Sequence, residues 1–369
     1  MTFSGARLRI GRLFHDLTQR DLAKKIAVSN SLIAAFESEV DPKEPRDDIL
    51  DALCTVLEVE PEYFFQPATT DEFHESQSNF RKRIKASDRL KRQVLARASL
   101  FGMAVQHLRN FGTFPNFDYP NLPAASLDDV ERVAEACRLH WKLGVDAPIG
   151  DMARVIENAG TVILSVDLKT AEHVDAFSRF GEISVVVLNT QKDSPSRTLF
   201  DMAHEVGHGI MHRTSRGLTL DKREAEADRF AGAFLMPRGA FETDFTASRG
   251  ADWDGLLDMK RYWRVSIQAI LRRAYQLQLI DAVEYRTRFR TLSGWGWRTT
   301  EPDEPTMDQP TLFQKALQRA LVDYGKTPGD LARELGWKPT LFEKATGVPV
   351  PTTTTGRVIS LLERRQAMA

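Results

Sequence analysis

Apolar residues along this chain change period several times. Between Gly181 and Asn189, Ile183 and the run from Val185 to Leu188 are apolar and mostly β-branched, which predicts a strand. A polar stretch over 190–197 follows. Apolar positions then return at helical spacing, at Leu199, Met202, Ala203 and Val206. A second helix is predicted over 221–236, ended by Pro237. The first 66 residues carry shorter patterns. Leu8, Ile10, Leu13 and Phe14 mark one helix; Thr18 can cap another over 19–26, and Ser29 a third over 30–37. A further helix over 47–57 presents Ile49, Leu50, Leu53 and Leu57. One long helix is predicted over 80–110, and short ones over 312–322, 328–335 and 340–345, with a last one beyond the threonines of 352–355.

Breaks in these patterns divide the chain. Residues 1–66 read as a separate helical domain, 67–126 as a linker (67–79) plus the long helix and a packed loop (111–125), and 127–297 as the main domain. Residues 298–310 are polar and contain three prolines, hence a second linker, before a small helical C-terminal domain over 311–369. The expected fold class is α+β, mostly α, with a small sheet in the central domain.

Charge matters here only locally, since 50 Lys and Arg face 51 Asp and Glu overall. Residues 1–66 hold 8 basic against 12 acidic residues, whereas 80–110 hold 9 against Asp88 alone. The basic helix is either a phosphate-contacting arm or a solvated element that pairs with the acidic N-terminal domain. The opening residues show no apolar run, so no secretory leader is expected, and no stretch approaches membrane-spanning length. Two cysteines cannot build a disulfide framework; buried free thiols in a reducing cytoplasm are expected.

The chemistry lies on the first of the two central helices. His204-Glu205-Val206-Gly207-His208 reads H-E-x-x-H. One turn separates the two histidines, so both imidazoles leave one face and can share a metal ion, and Glu205 can take a proton from water there. A catalytic zinc usually takes three protein ligands. Glu224 and Asp228, four apart on the following helix, share a face. We assign Glu224 as the third ligand and Asp228 as acceptor of a ligand imidazole's hydrogen bond. Glu226 points about 200° away from both on an ideal helix and is not a ligand. His212, beyond a Gly209 expected to loosen the helix, is a packing or supporting histidine rather than a ligand.

These segments, with the run 134–162 and the later 262–274, resemble the ImmA/IrrE family of zinc metallopeptidases over roughly 127–297. The resemblance implies a thermolysin-like, zincin-type site with His204, His208 and Glu224 on Zn2+, Glu205 as general base, and a protein substrate, commonly a helix-turn-helix repressor. Asp228 stands where that family often has Asn; either can accept the imidazole hydrogen bond.

The run 17–37 resembles the Xre/Cro family of helix-turn-helix DNA-binding domains, which place the second helix of the motif in the major groove. Ala27 stands in the turn where that family usually has Gly. The groove-facing positions carry Asn30, Ser31, Ala34 and Ala35, without the Arg that makes bidentate contacts to guanine. Gln19, Arg20, Asn30 and Ser31 are the candidate DNA contacts, and the acidic balance of the domain implies modest affinity from it alone. The expected whole is a cytoplasmic DNA-binding regulator, able to dimerise, with zinc endopeptidase activity toward a regulatory protein in a stress or phage-related response. The alternative is a transcriptional regulator or antitoxin whose peptidase-like domain senses or binds, with little turnover.

Overall fold

The structure is a computed structural model that describes residues 2–38, 43–66, 78–80, 88–166, 176–191, 194–214, 217–248 and 252–351. The N-terminal part contains α1 (Gly5–Phe14), α2 (Gln19–Lys25), α3 (Asn30–Phe36) and α4 (Asp47–Leu57), followed by a 3-10 turn at Pro61–Phe64. Strand β1 (Ser78–Phe80) and α5 (Asp88–Leu108) lead to the central part: α6 (Asp129–His140), α7 (Met152–Asn158), β2 (Thr161–Val166), β3 (Ala176–Arg179), β4 (Ser184–Asn189), α8 (Pro195–Met211) and α9 (Leu220–Leu235). Then come α10 (Arg238–Ala247), α11 (Trp253–Trp263), α12 (Ile267–Gln276), α13 (Ala282–Gly294), α14 (Leu312–Val322), α15 (Pro328–Glu334) and α16 (Pro339–Thr346). The fold is α+β and mostly α, as expected. Among the described residues no helix is long and apolar enough to cross a membrane.

Local chemistry sets the helix ends. Thr18 and Asp21 form a reciprocal capping box on α2, and the Ser29 hydroxyl accepts from the Leu32 amide to start α3. The turn between them carries its penalty at Ala27, whose φ of 56° lies in the left-handed region that costs a Cβ-bearing residue about 1–2 kcal/mol. Ala27→Gly is therefore expected to raise unfolding stability by roughly 0.5–1 kcal/mol, the greater freedom of glycine in the unfolded chain cancelling part of the gain. Urea unfolding checks this; unchanged or lower stability would contradict it.

The four strands run in the order β1-β3-β4-β2, with β2 parallel to β4 and the other pairs antiparallel. Every residue of β4 is buried. The period of two distributes these residues to two cores. Val185 and Val187, with Val162, Leu164 and Phe177, face one; Val186 and Leu188, with Ile163 and Ala176, face the other. The second core holds residues of α6 to α13.

The first core draws on several of the expected segments. It runs without interruption from Phe3 and Leu8 through Val94, Phe101 and Val105 of α5 to Phe313, Leu331 and Trp337 near the C-terminus. Residues 1–66 thus share their interior with α5, with the C-terminal helices and with one face of the sheet. The described part of the long helix begins at Asp88, and Phe80, which the expected helix includes, belongs instead to β1 and pairs with Phe177. Its apolar positions bind it into this core, so it is a central strut and not a free surface arm. Arg97 of α5 lies 5.2 Å over the Phe14 ring and donates to the Lys344 carbonyl at 2.8 Å, joining the two ends of the chain. Trp337 is fully buried, Val59 bridges it, and Gly336 (φ 68°) passes so close to Tyr63 that a Cβ would lie 2.7 Å from the Tyr63 nitrogen. Arg81, Lys82, Arg83 and Lys85, and the helix expected beyond 355, lie outside the described residues.

The second expected linker is a structural strap. Glu301 is 6% exposed and accepts from the Ile267 amide at 2.7 Å, at the start of α12. Glu304 accepts from the Ser196 amide at 2.9 Å, at the start of α8. Asp308 accepts from the Met152 amide at 2.6 Å, at the start of α7. Each carboxylate meets the positive end of a helix and satisfies amides that have no partner within it. Lys260, fully buried, binds Glu301 at 2.9 Å and Glu304 at 2.7 Å. Both cysteines are buried free thiols.

Candidate metal centre and DNA-facing edge

Helix α8 opens with Pro195 at its first position and presents His204 and His208 on one face, against α9. It continues through Gly209 to Met211, so that glycine does not loosen it. Its absent side chain lets aromatic rings close in: a Cβ there would lie 2.6 Å from Phe180 and 2.8 Å from Tyr119.

Imidazole protonation follows from the outer partners. Asp228 is 2.9 Å from His204 Nδ1, so that nitrogen carries the proton and Nε2 keeps its lone pair. Glu226 lies 2.9 Å from His212 Nε2, which donates to it. His212 Nδ1 is then the acceptor for His208 Nδ1–H, 2.9 Å away, and His208 Nε2 also keeps its lone pair. These two Nε2 atoms face each other at 3.1 Å. Glu224 adds carboxylate oxygens 3.6 Å from His204 Nε2 and 3.3 Å from His208 Nε2. Ligand atoms of His204, His208 and Glu224 all lie within 4.8 Å of one another, the only such buried cluster of three among the described residues. Three electron-pair donors converging away from water could hold a cation.

Titration is consistent with that reading. Desolvation takes His208 down to about 4 and His212 likewise to about 4, keeping both neutral near pH 7. Burial opposes ionisation of Glu224, but its place between the imidazoles of His204 and His208 outweighs that and brings the carboxyl to about 2. Glu205 is 1% exposed; desolvation lifts it to about 7, opposed by the nearby His204. One oxygen of Glu205 has no hydrogen-bond partner among the described residues.

Two participants escaped the sequence reading. Glu226 does point away from the Glu224–Asp228 face, yet His212, at the C-terminal end of α8, reaches it, and it is 1% exposed. The signal available in the sequence is the pair formed by that carboxylate and His212. Arg272 of α12 holds the second oxygen of Asp228 at 3.1 Å. Nothing local to Arg272 marked it, because only tertiary packing brings α12 there.

The other candidate residues gather at one edge of the N-terminal part. Arg20, Asn30 and Ser31 are exposed, with the Ser31 hydroxyl 2.9 Å from that of Ser29. Gln19 lies at the start of α2, where its amide donates to Glu37 at 2.9 Å; Arg12 grips the same carboxylate through two hydrogen bonds of 2.6 and 2.7 Å.

Comparison with known families agrees with both halves. Residues 156–275 match the model of a peptidase family described as the IrrE N-terminal-like domain. Residues 8–64 match a helix-turn-helix model. No curated protein matches the chain.

Proposed function

We propose that this fusion of a helix-turn-helix domain with an IrrE-like peptidase-family domain is a DNA-binding regulator that cleaves a protein at a zinc site. The observation that carries the reading is the convergence of two proton-free Nε2 atoms and a carboxylate at one buried point. His204, His208 and Glu224 are the proposed ligands. Bound there, Zn2+ would supply Lewis acidity toward the scissile carbonyl and the attacking water. Asp228 and the His212–Glu226 pair hold the two imidazoles in the tautomer and orientation this requires. Glu205 takes a proton from the water and returns it to the leaving amine. A DNA-tethered site favours regulatory proteins as substrates, a helix-turn-helix repressor among them.

The test is metal content and its consequence. Purified full-length protein is expected to hold about one zinc per chain; a chelator should abolish its peptide-bond hydrolysis and added zinc restore it. A folded chain that takes up no zinc would overturn the proposal. Burial of His204, Glu205 and His208, each 1% exposed, favours a second reading in which the domain turns over little until it opens. Full metal occupancy without hydrolysis of cellular proteins, read by labelling new N-termini, would select it.

A further inference from the structure

The acidic balance of residues 1–66 is at odds with binding a polyanion, and the fold shows where compensating charge comes from. A groove of about 600 Å³ lies along α1 and the starts of α2 and α3, and Gln19, Arg20 and Asn30 line it. So do Arg89 and Arg92, which belong to α5 and lie outside the helix-turn-helix match. With Arg9 and Arg12 the groove has five arginines against two carboxylates, Asp16 and Glu37. Arg12 neutralises Glu37. Arg89 grips Asp16 at 2.6 and 3.0 Å and also donates to its backbone carbonyl at 2.8 Å. Asp16 stands three residues before Gln19, where its bare charge would repel a phosphate approaching α2.

We propose that α5 completes the DNA interface: Arg92 contacts a backbone phosphate alongside Arg20, and Arg89 cancels the Asp16 charge at the edge of that contact. The inference rests on the DNA-binding reading above and adds residues from outside the domain to it. A continuous groove reaching the exposed Asn30 fits an extended sugar–phosphate strand better than a compact anion. Because α5 packs in the first core on one face of the sheet while α8 lies on the other, bound DNA would press on a helix that only the sheet separates from α8.

The experiment measures binding of a random-sequence duplex by fluorescence anisotropy over a range of salt concentrations. Arg92→Gln is expected to weaken binding severalfold or more and to reduce the slope of log affinity against log salt by about 1, the signature of one lost phosphate contact. Arg89→Gln should also weaken binding, and Asp16→Asn added to it should restore most of the loss, since the role is neutralisation. If the wild-type chain binds duplex and both single α5 variants match it in affinity and slope, while Arg20→Gln weakens it, the inference fails and the DNA-binding reading stands. If the wild type binds tripolyphosphate through these arginines but no duplex, both fail. Should Arg89→Gln lose its fold by circular dichroism, Arg92→Gln decides alone.

Discussion

Glu205→Gln is expected to lower peptide-bond hydrolysis by about 10²–10⁴-fold, the usual contribution of a positioned general base, while zinc content stays at that of the wild type. The substitution keeps the shape of a side chain that is 1% exposed. It removes the ability to take a proton and leaves His204, His208 and Glu224 untouched. Stability should not suffer much, because burial already disfavours the ionised carboxylate that is removed. Three readouts separate the roles. Hydrolysis lost with zinc retained identifies the base. Hydrolysis retained at the wild-type rate in zinc-loaded protein removes Glu205 from the chemistry. Zinc and hydrolysis lost together would make it a structural residue of the metal site.

The sequence was legible wherever a local rule applied. Helical spacing alone places His204 and His208 on one face, and the same rule sets Glu224 and Asp228 together on α9. Side-chain caps at Thr18 and Ser29 mark the starts of α2 and α3. The residues that close the site were not legible, because each acts across the chain. Arg272 reaches Asp228 from 44 positions away, and its surroundings read as an ordinary amphipathic helix. The helical wheel that turns Glu226 away from Glu224 and Asp228 holds within α9 and says nothing about His212 at the end of α8. The packing between the expected segments was not legible for a related reason. Composition shifts reveal where a chain turns polar, but Trp337, Tyr63 and Phe101 bury their rings in one core irrespective of the segments between them.

The strap over 298–310 is the clearest instance of that limit and leads to the second large effect. Lys260→Met is expected to destabilise the full chain by about 3–5 kcal/mol, the cost of leaving buried charge without its partner. The methionine fills similar space, so the loss would come from Glu301 and Glu304. Each still accepts amide hydrogen bonds from a helix start, but no cation remains between them. The pH dependence carries the diagnostic sign. In the wild type, burial raises the Glu304 carboxyl, but Lys260 and then Ser196 outweigh it and hold it below its ordinary value. A depressed carboxyl contributes stability that is present above the unfolded value of about 4.5 and is lost as pH falls through the folded one. Without Lys260 burial should win and the carboxyl should rise, so the penalty should be largest near neutrality and shrink as pH falls toward 5. Urea unfolding of both proteins at several pH values measures this. Glu304→Gln in the Lys260→Met background should recover part of the loss at neutral pH and little in acid. A deficit below about 1 kcal/mol with no pH dependence would mean that the segment is a solvated linker after all. A large deficit should reach the metal centre as well, because Glu304 holds the first turn of the helix that carries His204 and His208; zinc affinity measured well below the unfolding midpoint should fall along with stability.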